Sequence, residues 1–285
     1  MKYSLKHFLF PAMIAGVISC SEDINPLNAI ETAEISSEIS AESAFEDIDG
    51  MLSNVSFAGD LNFSSRVESI DDRFCAGTQV KLKNKVRSDA DSLVIDFGTA
   101  GCTDPKGNVR KGKILMIFTG DRKVAHTTTF VDFFVNNKKV EGTRSFELTN
   151  LLPPTFKTSL SGGKITWPDG TFATREASHV RVWNMDLQQP SNSTYVIKKG
   201  GTASGVKRTG SPYAIEITKD LLFKRSCMEP PLKISMPVEG TKIISSTNAA
   251  GTDRLMTVDF GDGACDKKIT VTVDGNTKEV TVDND

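Results

Sequence analysis

The sequence has few of the residues and motifs from which catalytic and metal sites are usually built. It contains three histidines, and no two of its five cysteines form a Cys-x-x-Cys pair. It has neither the Gly-x-Ser-x-Gly segment of many serine hydrolases nor a glycine-rich loop followed by Lys-Ser/Thr. We therefore expect no catalytic residues, no metal ligands and no cofactor, and the protein is not predicted to be an enzyme.

A strong excess of charge is also missing. The 285 residues carry a formal net charge of −2 at pH 7. Nucleic-acid-binding domains usually carry a clear basic excess, so we expect no nucleic-acid partner. No pattern in the sequence sets the oligomeric state.

Histidine is scarce, and its positions do not indicate a reaction. His126 and His179 fall in predicted strands, and neither has a second histidine at metal-ligand spacing. We interpret both as structural residues, with His126 on a strand surface. Carboxylate pairs for glycoside hydrolysis meet only in three dimensions, so a polysaccharide hydrolase stays open as an alternative.

The N-terminus combines positive charge with a short apolar segment. Lys2 and Lys6 precede the apolar residues 8–18, which are too few to span a bilayer as a helix. This order is typical of a secretory signal. We predict a signal peptide over residues 1–19, and therefore export from the cytoplasm.

The four residues that end this segment, Val17-Ile18-Ser19-Cys20, resemble the lipobox of bacterial lipoproteins. The resemblance implies that Cys20 is acylated and becomes a membrane-anchored N-terminus. Ser21 stands where an inner-membrane retention signal has Asp, and the acidic Glu22 and Asp23 resemble the surface-export signal of Bacteroidota lipoproteins. The implied address is the outer membrane, facing the exterior, and the resemblance implies no activity.

An acidic segment follows the anchor. Residues 21–50 contain nine Asp or Glu and no Lys or Arg, which is typical of a solvated spacer. Apolar residues nevertheless recur there at helical spacing, at Ala41, Ala44, Phe45, Ile48 and Leu52. We predict an acidic spacer over residues 20–54 that contains a helix packed on a sheet.

From about residue 55 the apolar period changes from helical to two, which indicates strands. Polar turns at 136–139, 168–170 and 274–276 separate alternating segments and predict long hairpins. We therefore predict an all-β domain of antiparallel strands, arranged as sheets or a sandwich.

A duplicated segment lies inside this domain. Leu-Val-Ile-Asp-Phe-Gly at 93–98 and Met-Thr-Val-Asp-Phe-Gly at 256–261 are each followed, after three residues, by Cys102 and Cys265. The repetition predicts two related β units, 55–150 and 215–285, joined by connecting hairpins over 151–214. In each copy we expect the Phe to point inward, the Gly to have a positive φ, and the Asp to accept backbone hydrogen bonds across a turn.

Four cysteines remain after Cys20, an even number for an oxidising compartment. Three pairings are possible. The repeat favours Cys75–Cys102 and Cys227–Cys265, because the same pairing then serves both units.

The sequence does not specify a molecular activity. We expect a lipid-anchored, non-enzymatic protein that binds a glycan or another envelope protein, with Trp167 and Trp183 as tentative glycan contacts. Besides the hydrolase, an envelope carrier of lipid or lipoprotein with an open apolar cavity is an alternative.

Overall fold

A computed structural model describes residues 29–57, 71–83, 92–119, 125–186, 188–229, 231–247 and 253–282. The predicted signal peptide and Cys20 lie outside the described residues.

The described chain begins with a long helix and continues almost entirely as strands, which confirms the all-β class. The helices are α1 (Ala29–Phe57) and α2 (Arg225–Met228), with a 3₁₀ turn at Pro190–Asn192. The strands are β1 (Gln79–Lys83), β2 (Ser92–Asp96), β3 (Cys102–Thr103), β4 (Val109–Thr119), β5 (Ala125–Val135), β6 (Lys138–Leu151), β7 (Pro154–Thr166), β8 (Phe172–Asn184), β9 (Thr194–Ile197), β10 (Thr202–Val206), β11 (Pro212–Lys224), β12 (Glu239–Thr247), β13 (Asp253–Asp262), β14 (Lys268–Val273) and β15 (Asn276–Thr281).

All these strands belong to one antiparallel sheet. Its order is β1-β2-β4-β5-β6-β7-β8-β10-β11-β12-β13-β14-β15, with β3 beside β4 and β9 beside both β8 and β11. Neighbours in the sheet are therefore mostly neighbours in the sequence, as the three hairpin turns predicted. The segments predicted as two units and a connection contribute to a single sheet.

The sheet has one inward face, which follows from the alternation of side chains along each strand. In β8 the buried positions are every second residue, and they include Arg175, His179 and Arg181 beside Ala177 and Trp183. The inward face of the central strands is thus partly cationic, unlike an ordinary hydrophobic core.

Helix α1 lies against this inward face and is buried on several sides. Its apolar residues Ile39, Ile48 and Leu52 are fully buried, and so are the acidic residues Glu46 and Asp49, to within a few per cent. The predicted apolar helix is present. The expected solvated spacer is wrong for this part of the chain, because its carboxylates are enclosed by the sheet.

The two sides of the curled sheet meet over the helix along a line that we call the seam. One side supplies the β3–β4 turn with Lys106, and the other supplies α2 and residues 231–236. Lys233 Nζ, from the second side, donates a hydrogen bond to the Lys106 carbonyl of the first. This contact joins the two sides of the sheet over α1.

Each side of the seam contains one disulfide, and the predicted pairing is confirmed. Cys75 is bonded to Cys102, with 5.9 Å between their Cα atoms. Cys227 is bonded to Cys265, with 5.2 Å between theirs. Each bond fixes a short segment at the seam to the strands behind it.

The two Asp-Phe-Gly segments have the same local geometry. Gly98 and Gly261 have φ angles of 76° and 88°. The amide of each glycine donates to the carboxylate of the Asp two residues earlier, at 2.9 Å for Asp96 and 2.8 Å for Asp259. Phe97 and Phe260 are buried.

Candidate functional site

The inward face of the sheet holds α1 through a row of buried ion pairs. Near the start of the row, Arg175 donates to Glu38 and to Glu42, each at 2.7 Å. Lys242 of β12 donates to the same two carboxylates at 2.9 and 2.7 Å. Two cations from distant strands therefore share two carboxylates one helical turn apart.

The row continues one and two turns further along α1. Arg181 donates to Glu46 at 2.8 Å and to Asp49 at 3.1 Å, and the Tyr195 hydroxyl donates to Glu46 at 3.0 Å. Arg144 of β6 donates through Nε to Asp49 at 2.9 Å. The acidic residues recur every three or four positions because only that spacing keeps them on one face of a helix.

Burial and pairing affect the carboxylates of this row differently. Burial alone would raise the pKa of Glu42, but Lys242 and Arg175 together bring it below its ordinary value. Burial raises the pKa of Glu46 against the opposing effect of Arg181, and the nearby Asp49 carboxylate raises it further. Burial and the neighbouring Arg181 lower the pKa of His179, so this imidazole is neutral at pH 7.

The carboxylates of this row have a structural role. Each carboxylate of the row already accepts hydrogen bonds from an Arg or Lys, and the residues are buried between helix and sheet. A catalytic carboxylate must reach a substrate or an attacking water, and this row has no such access. Its role is to hold α1 in place.

An open space lies on a different face of α1, beneath the seam. This seam cavity has a volume of about 240 Å³. Its floor is formed by α1 residues Ser40, Ser43, Ala44 and Asp47, which recur at positions i, i+3, i+4 and i+7. The cavity is thus separated from the ion-pair row by the helix itself.

The walls of the seam cavity come from both sides of the sheet. Apolar side chains of Val135, Val140 and Ile165 line it on the first side, and Met228 lines it on the second. The cavity therefore combines one polar helix face with an apolar wall, as in typical small-molecule sites.

Lysines from four separate segments also line the seam cavity, and the lining is cationic. They are Lys106, Lys138, Lys233 and Lys267. The one carboxylate of the lining, Asp47, accepts hydrogen bonds from Arg110 at 2.6 Å and from Arg73 at 3.4 Å. The pKa of Asp47, which burial alone would raise, is lowered by these two guanidinium groups. Two of the lysines also have partners of their own, because Lys106 is paired with Asp72 at 3.2 Å and Lys233 donates to the Lys106 carbonyl.

One polar group of the lining lacks a partner. Ser43 is buried, with 7% of its surface exposed, and its hydroxyl oxygen has no hydrogen-bond partner among the described residues. An unsatisfied buried hydroxyl costs free energy, roughly 1–3 kcal/mol. The oxygen exposes less than 1 Å² to solvent, so it lies beneath the cavity surface rather than on it.

The structure buries both tryptophans that were predicted as tentative glycan contacts. Trp167 and Trp183 are each 9% exposed. The Arg208 guanidinium lies 4.7 Å from the Trp167 ring centre, and the Trp183 ring packs 4.7 Å from that of Tyr195. Neither ring presents an open face for stacking a sugar.

His126 is buried rather than on a strand surface, and it stacks on Phe146 at 4.7 Å between ring centres. The expected surface position is wrong because the alternation of β5 places His126 on the inward face. The described residues contain no group of three His, Cys, Asp or Glu side chains that could hold a metal ion. In the same part of the chain, no helix is both long and apolar enough to cross a bilayer.

Comparison of the chain with family models, with curated proteins and with solved structures gave no match.

Sequence reasoning missed the seam cavity because its lining comes from distant parts of the chain. Lys106, Lys233 and Lys267 have no common spacing and meet only when the sheet closes around α1. One signal was present in the sequence. Ser40, Ser43 and Asp47 recur at positions i, i+3 and i+7 and form a polar helical stripe beside the apolar one.

Proposed function

We propose that the protein is a non-enzymatic, lipid-anchored envelope protein that binds a small ligand in the seam cavity. The observation that carries the proposal is the cavity itself, which is bounded by α1 and by both sides of the sheet and has a polar floor and an apolar wall. The anchor is proposed from the lipobox at Cys20, and the outward-facing outer-membrane address from Ser21, Glu22 and Asp23.

Binding fits the geometry better than catalysis does. A polysaccharide hydrolase needs two carboxyl groups facing one cleft with room for a sugar. The carboxylates of α1 that lie close together are enclosed and paired with Arg or Lys. In the seam cavity only Asp47 carries a carboxylate, and two arginines hold it.

The carrier alternative requires an open apolar space within the curved sheet. Helix α1 occupies that space, and its ion pairs with Arg144, Arg181 and Lys242 hold it there. The seam cavity, of about 240 Å³, lies below the range of roughly 300–1,000 Å³ that drug-sized ligands usually fill. A small ligand therefore fits the cavity better than a whole lipid.

The test is a ligand screen on residues 21–285, which contain every described helix and strand. Ala44→Phe places a ring in the cavity from the helix, and Ser235→Phe does so from the other side of the seam. Val180→Phe, at an exposed position on β8 outside the cavity lining, is the matched control. We expect ligands that bind the unaltered protein and the control but neither cavity variant. Ligands that bind all four proteins equally would contradict the proposal.

The address has a separate test. Cys20→Ala should move the full chain from the membrane fraction to the soluble fraction, because the acyl chains that anchor it would be missing. Unchanged membrane association would contradict the lipid anchor.

A further inference from the structure

We infer that a patch of lysine and phenylalanine side chains on the outer face of the sheet docks on anionic lipid head groups of the membrane that holds the anchor. This inference rests on the lipid anchor of the proposed function and adds a second contact, which orients the domain. The outer patch, as we call it, consists of Lys111, Phe134, Lys139, Lys164 and Phe172.

Most of the outer patch is one row of side chains across the five neighbouring strands β4 to β8. Lys111 is opposite Phe134, Phe134 is opposite Lys139, and Thr166 connects Lys139 to Phe172. The residues beside the patch in the sequence are buried on the inward face, namely Arg110, Phe133, Val140, Ile165 and Ala173. Because side chains alternate along a strand, the patch points outward, and five strands give it a length of about 19 Å.

Two lysines of the outer patch lie over aromatic rings. Lys111 Nζ is 4.2 Å from the centre of the Phe134 ring, and Lys164 Nζ is 4.5 Å from that of Phe172. In the described part of the chain neither lysine is paired with a carboxylate. Phe172 is 45% exposed. The outer patch therefore presents positive charge and apolar rings side by side.

Carboxylates near the outer patch compensate only part of its charge. Glu141 pairs with Lys139 at 3.0 Å, and Asp132 is exposed on the bulge of β5 at the margin of the patch. At the other margin Asp169 is paired with Arg208. Three ammonium groups therefore face two carboxylates, and the net charge is positive. Near an anionic membrane each such lysine strengthens binding about fivefold.

Helix α1 runs toward the end of the sheet that carries the outer patch. Arg175 of β8 contacts Glu38, and Arg181, further along the same strand, contacts Asp49. Toward its N-terminus the helix therefore approaches the first residue of β8, which is Phe172.

The connection from the helix to the proposed anchor is short. Nine residues separate Cys20 from Ala29, where α1 begins, and they span at most about 32 Å. The acyl chains on Cys20 would therefore keep this end of the sheet close to the bilayer.

A bilayer surface matches both kinds of side chain in the outer patch. Lysine ammonium groups contact the phosphates of anionic lipids, and apolar rings lie at the boundary between head groups and acyl chains. A soluble polyanion would contact the lysines and leave the exposed Phe172 ring in water. The anchor supplies the affinity for the membrane, and the outer patch determines which side of the domain faces the lipids.

Amine-reactive labelling of the full, lipidated chain tests the inference. The chain is placed in vesicles of phosphatidylcholine alone or of equal parts of phosphatidylcholine and phosphatidylglycerol, and mass spectrometry measures the labelling rate of each lysine. In the anionic vesicles Lys111, Lys139 and Lys164 should react about fivefold more slowly than in the neutral ones. Lys157 and Lys219, which are exposed outside the outer patch, should react equally in both.

Two pairs of variants connect this protection to the outer patch. Lys164→Glu should abolish the protection of Lys139 in anionic vesicles, whereas Lys157→Glu, on the same strand outside the patch, should leave it unchanged. Phe172→Ser should reduce the protection, whereas Val180→Ser, at a 40% exposed position of the same strand, should not.

The outcomes separate the outer patch from the anchor. Equal labelling of the patch lysines in both kinds of vesicle, with the chain in the vesicle fraction, would overturn the docking surface and leave the anchor standing. Equal protection of Lys157 and of the patch lysines would also overturn it. Protection that soluble polyphosphate reproduces on neutral vesicles would overturn the bilayer as the partner.

A chain that does not enter the vesicles would overturn the anchor and require a second measurement for the outer patch. Cosedimentation of residues 21–285 with the same two kinds of vesicle then decides. A preference for the anionic vesicles that Lys164→Glu removes would support the docking surface, and equal binding to both would overturn it.

Discussion

Lys242 of strand β12 and Glu42 of helix α1 are 200 residues apart in the sequence, yet the Lys242 ammonium donates a 2.7 Å hydrogen bond to the Glu42 carboxylate. Both side chains are buried, and Lys242 is fully so. The pair connects the helix at the start of the described chain to a strand near its end. Its removal should therefore affect the whole fold rather than one edge of it.

Lys242→Met should destabilise the protein by about 3–5 kcal/mol, because it leaves Glu38 and Glu42 with too little positive charge in a buried site. Lys219→Met is the matched control, since Lys219 forms an exposed ion pair with Glu239. Exposed pairs contribute little, so the control should unfold at nearly the same urea concentration as the unaltered protein. Equal effects of the two substitutions would contradict the role assigned to the buried pair.

The stability of the protein should fall as the solution becomes acidic. In the folded protein the pKa values of Glu42 and Asp47 are lowered, so their contribution is present above the unfolded pKa of about 4 and is lost as pH falls through the folded values. The pKa of Glu46 is raised, so protonation of Glu46 favours the folded state and opposes this loss. Glu42→Gln should therefore give a shallower loss of stability between pH 7 and 3, and Glu46→Gln a steeper one.

Urea unfolding at pH 7, 5 and 3.5 measures these slopes. The unaltered protein should lie between the two variants. A steeper acid loss in Glu42→Gln than in Glu46→Gln would mean that the two carboxylates have the opposite environments from those described.

A chain that begins at residue 55 should not fold, because it lacks almost all of α1. Arg144, Arg181 and Lys242 would then remain on the inward face of the sheet without their carboxylates. Residues 21–285 should give a monodisperse species with a cooperative unfolding transition, whereas residues 55–285 should aggregate or show no transition. A stable, cooperative 55–285 would show that the sheet does not need the helix.

The glycines of the two Asp-Phe-Gly segments allow a sharper local test. A Cβ at Gly98 would meet no atom within 4 Å, and one at Gly261 only the Val238 carbonyl oxygen at 4.0 Å. Alanine at either position should therefore lower the free energy of unfolding by only about 1–2 kcal/mol, because the sole penalty is a positive φ at a residue with a Cβ. Gly240 also has a positive φ, of 109°, but a Cβ there would clash with the Asp220 carbonyl.

Thermal unfolding should accordingly rank Gly240→Ala as clearly more destabilising than Gly98→Ala and Gly261→Ala, which should resemble each other. If Gly98→Ala and Gly261→Ala changed the thermal stability by different amounts, the two glycines would have different surroundings despite their similar φ angles.

Much of the fold could be predicted from local sequence patterns. Period-two alternation and the turns at 136–139, 168–170 and 274–276 lead to the β5–β6, β7–β8 and β14–β15 hairpins. The spacing of the two Asp-Phe-Gly-x3-Cys segments led to both disulfides. The hairpins depend on residues close in sequence, and the disulfides were predicted from a repeated pattern. Both can therefore be predicted from one amino-acid sequence.

The interior of the protein could not be predicted in the same way. The sequence predicts that Glu38, Glu46 and Asp49 are solvated, because carboxylates are rarely buried without a cation and no cation lies near them in sequence. Their partners are Arg175, Arg181 and other residues more than 90 positions away. Acidic residues at helical spacing are common, and so are arginines at alternate positions of a strand. Only the pairing of the two sets in the folded protein reveals that both are buried.

The order in which the chain is synthesised gives the enclosed helix a further consequence. Residues of α1 leave the ribosome about 200 residues before the strand that carries Lys242. Until then an apolar helix face has no sheet to cover it, and the adjacent carboxylates keep that segment hydrated. In the folded protein these carboxylates form the ion pairs that hold the helix against the sheet. Before the later strands are made, the same carboxylates reduce aggregation of the incomplete chain.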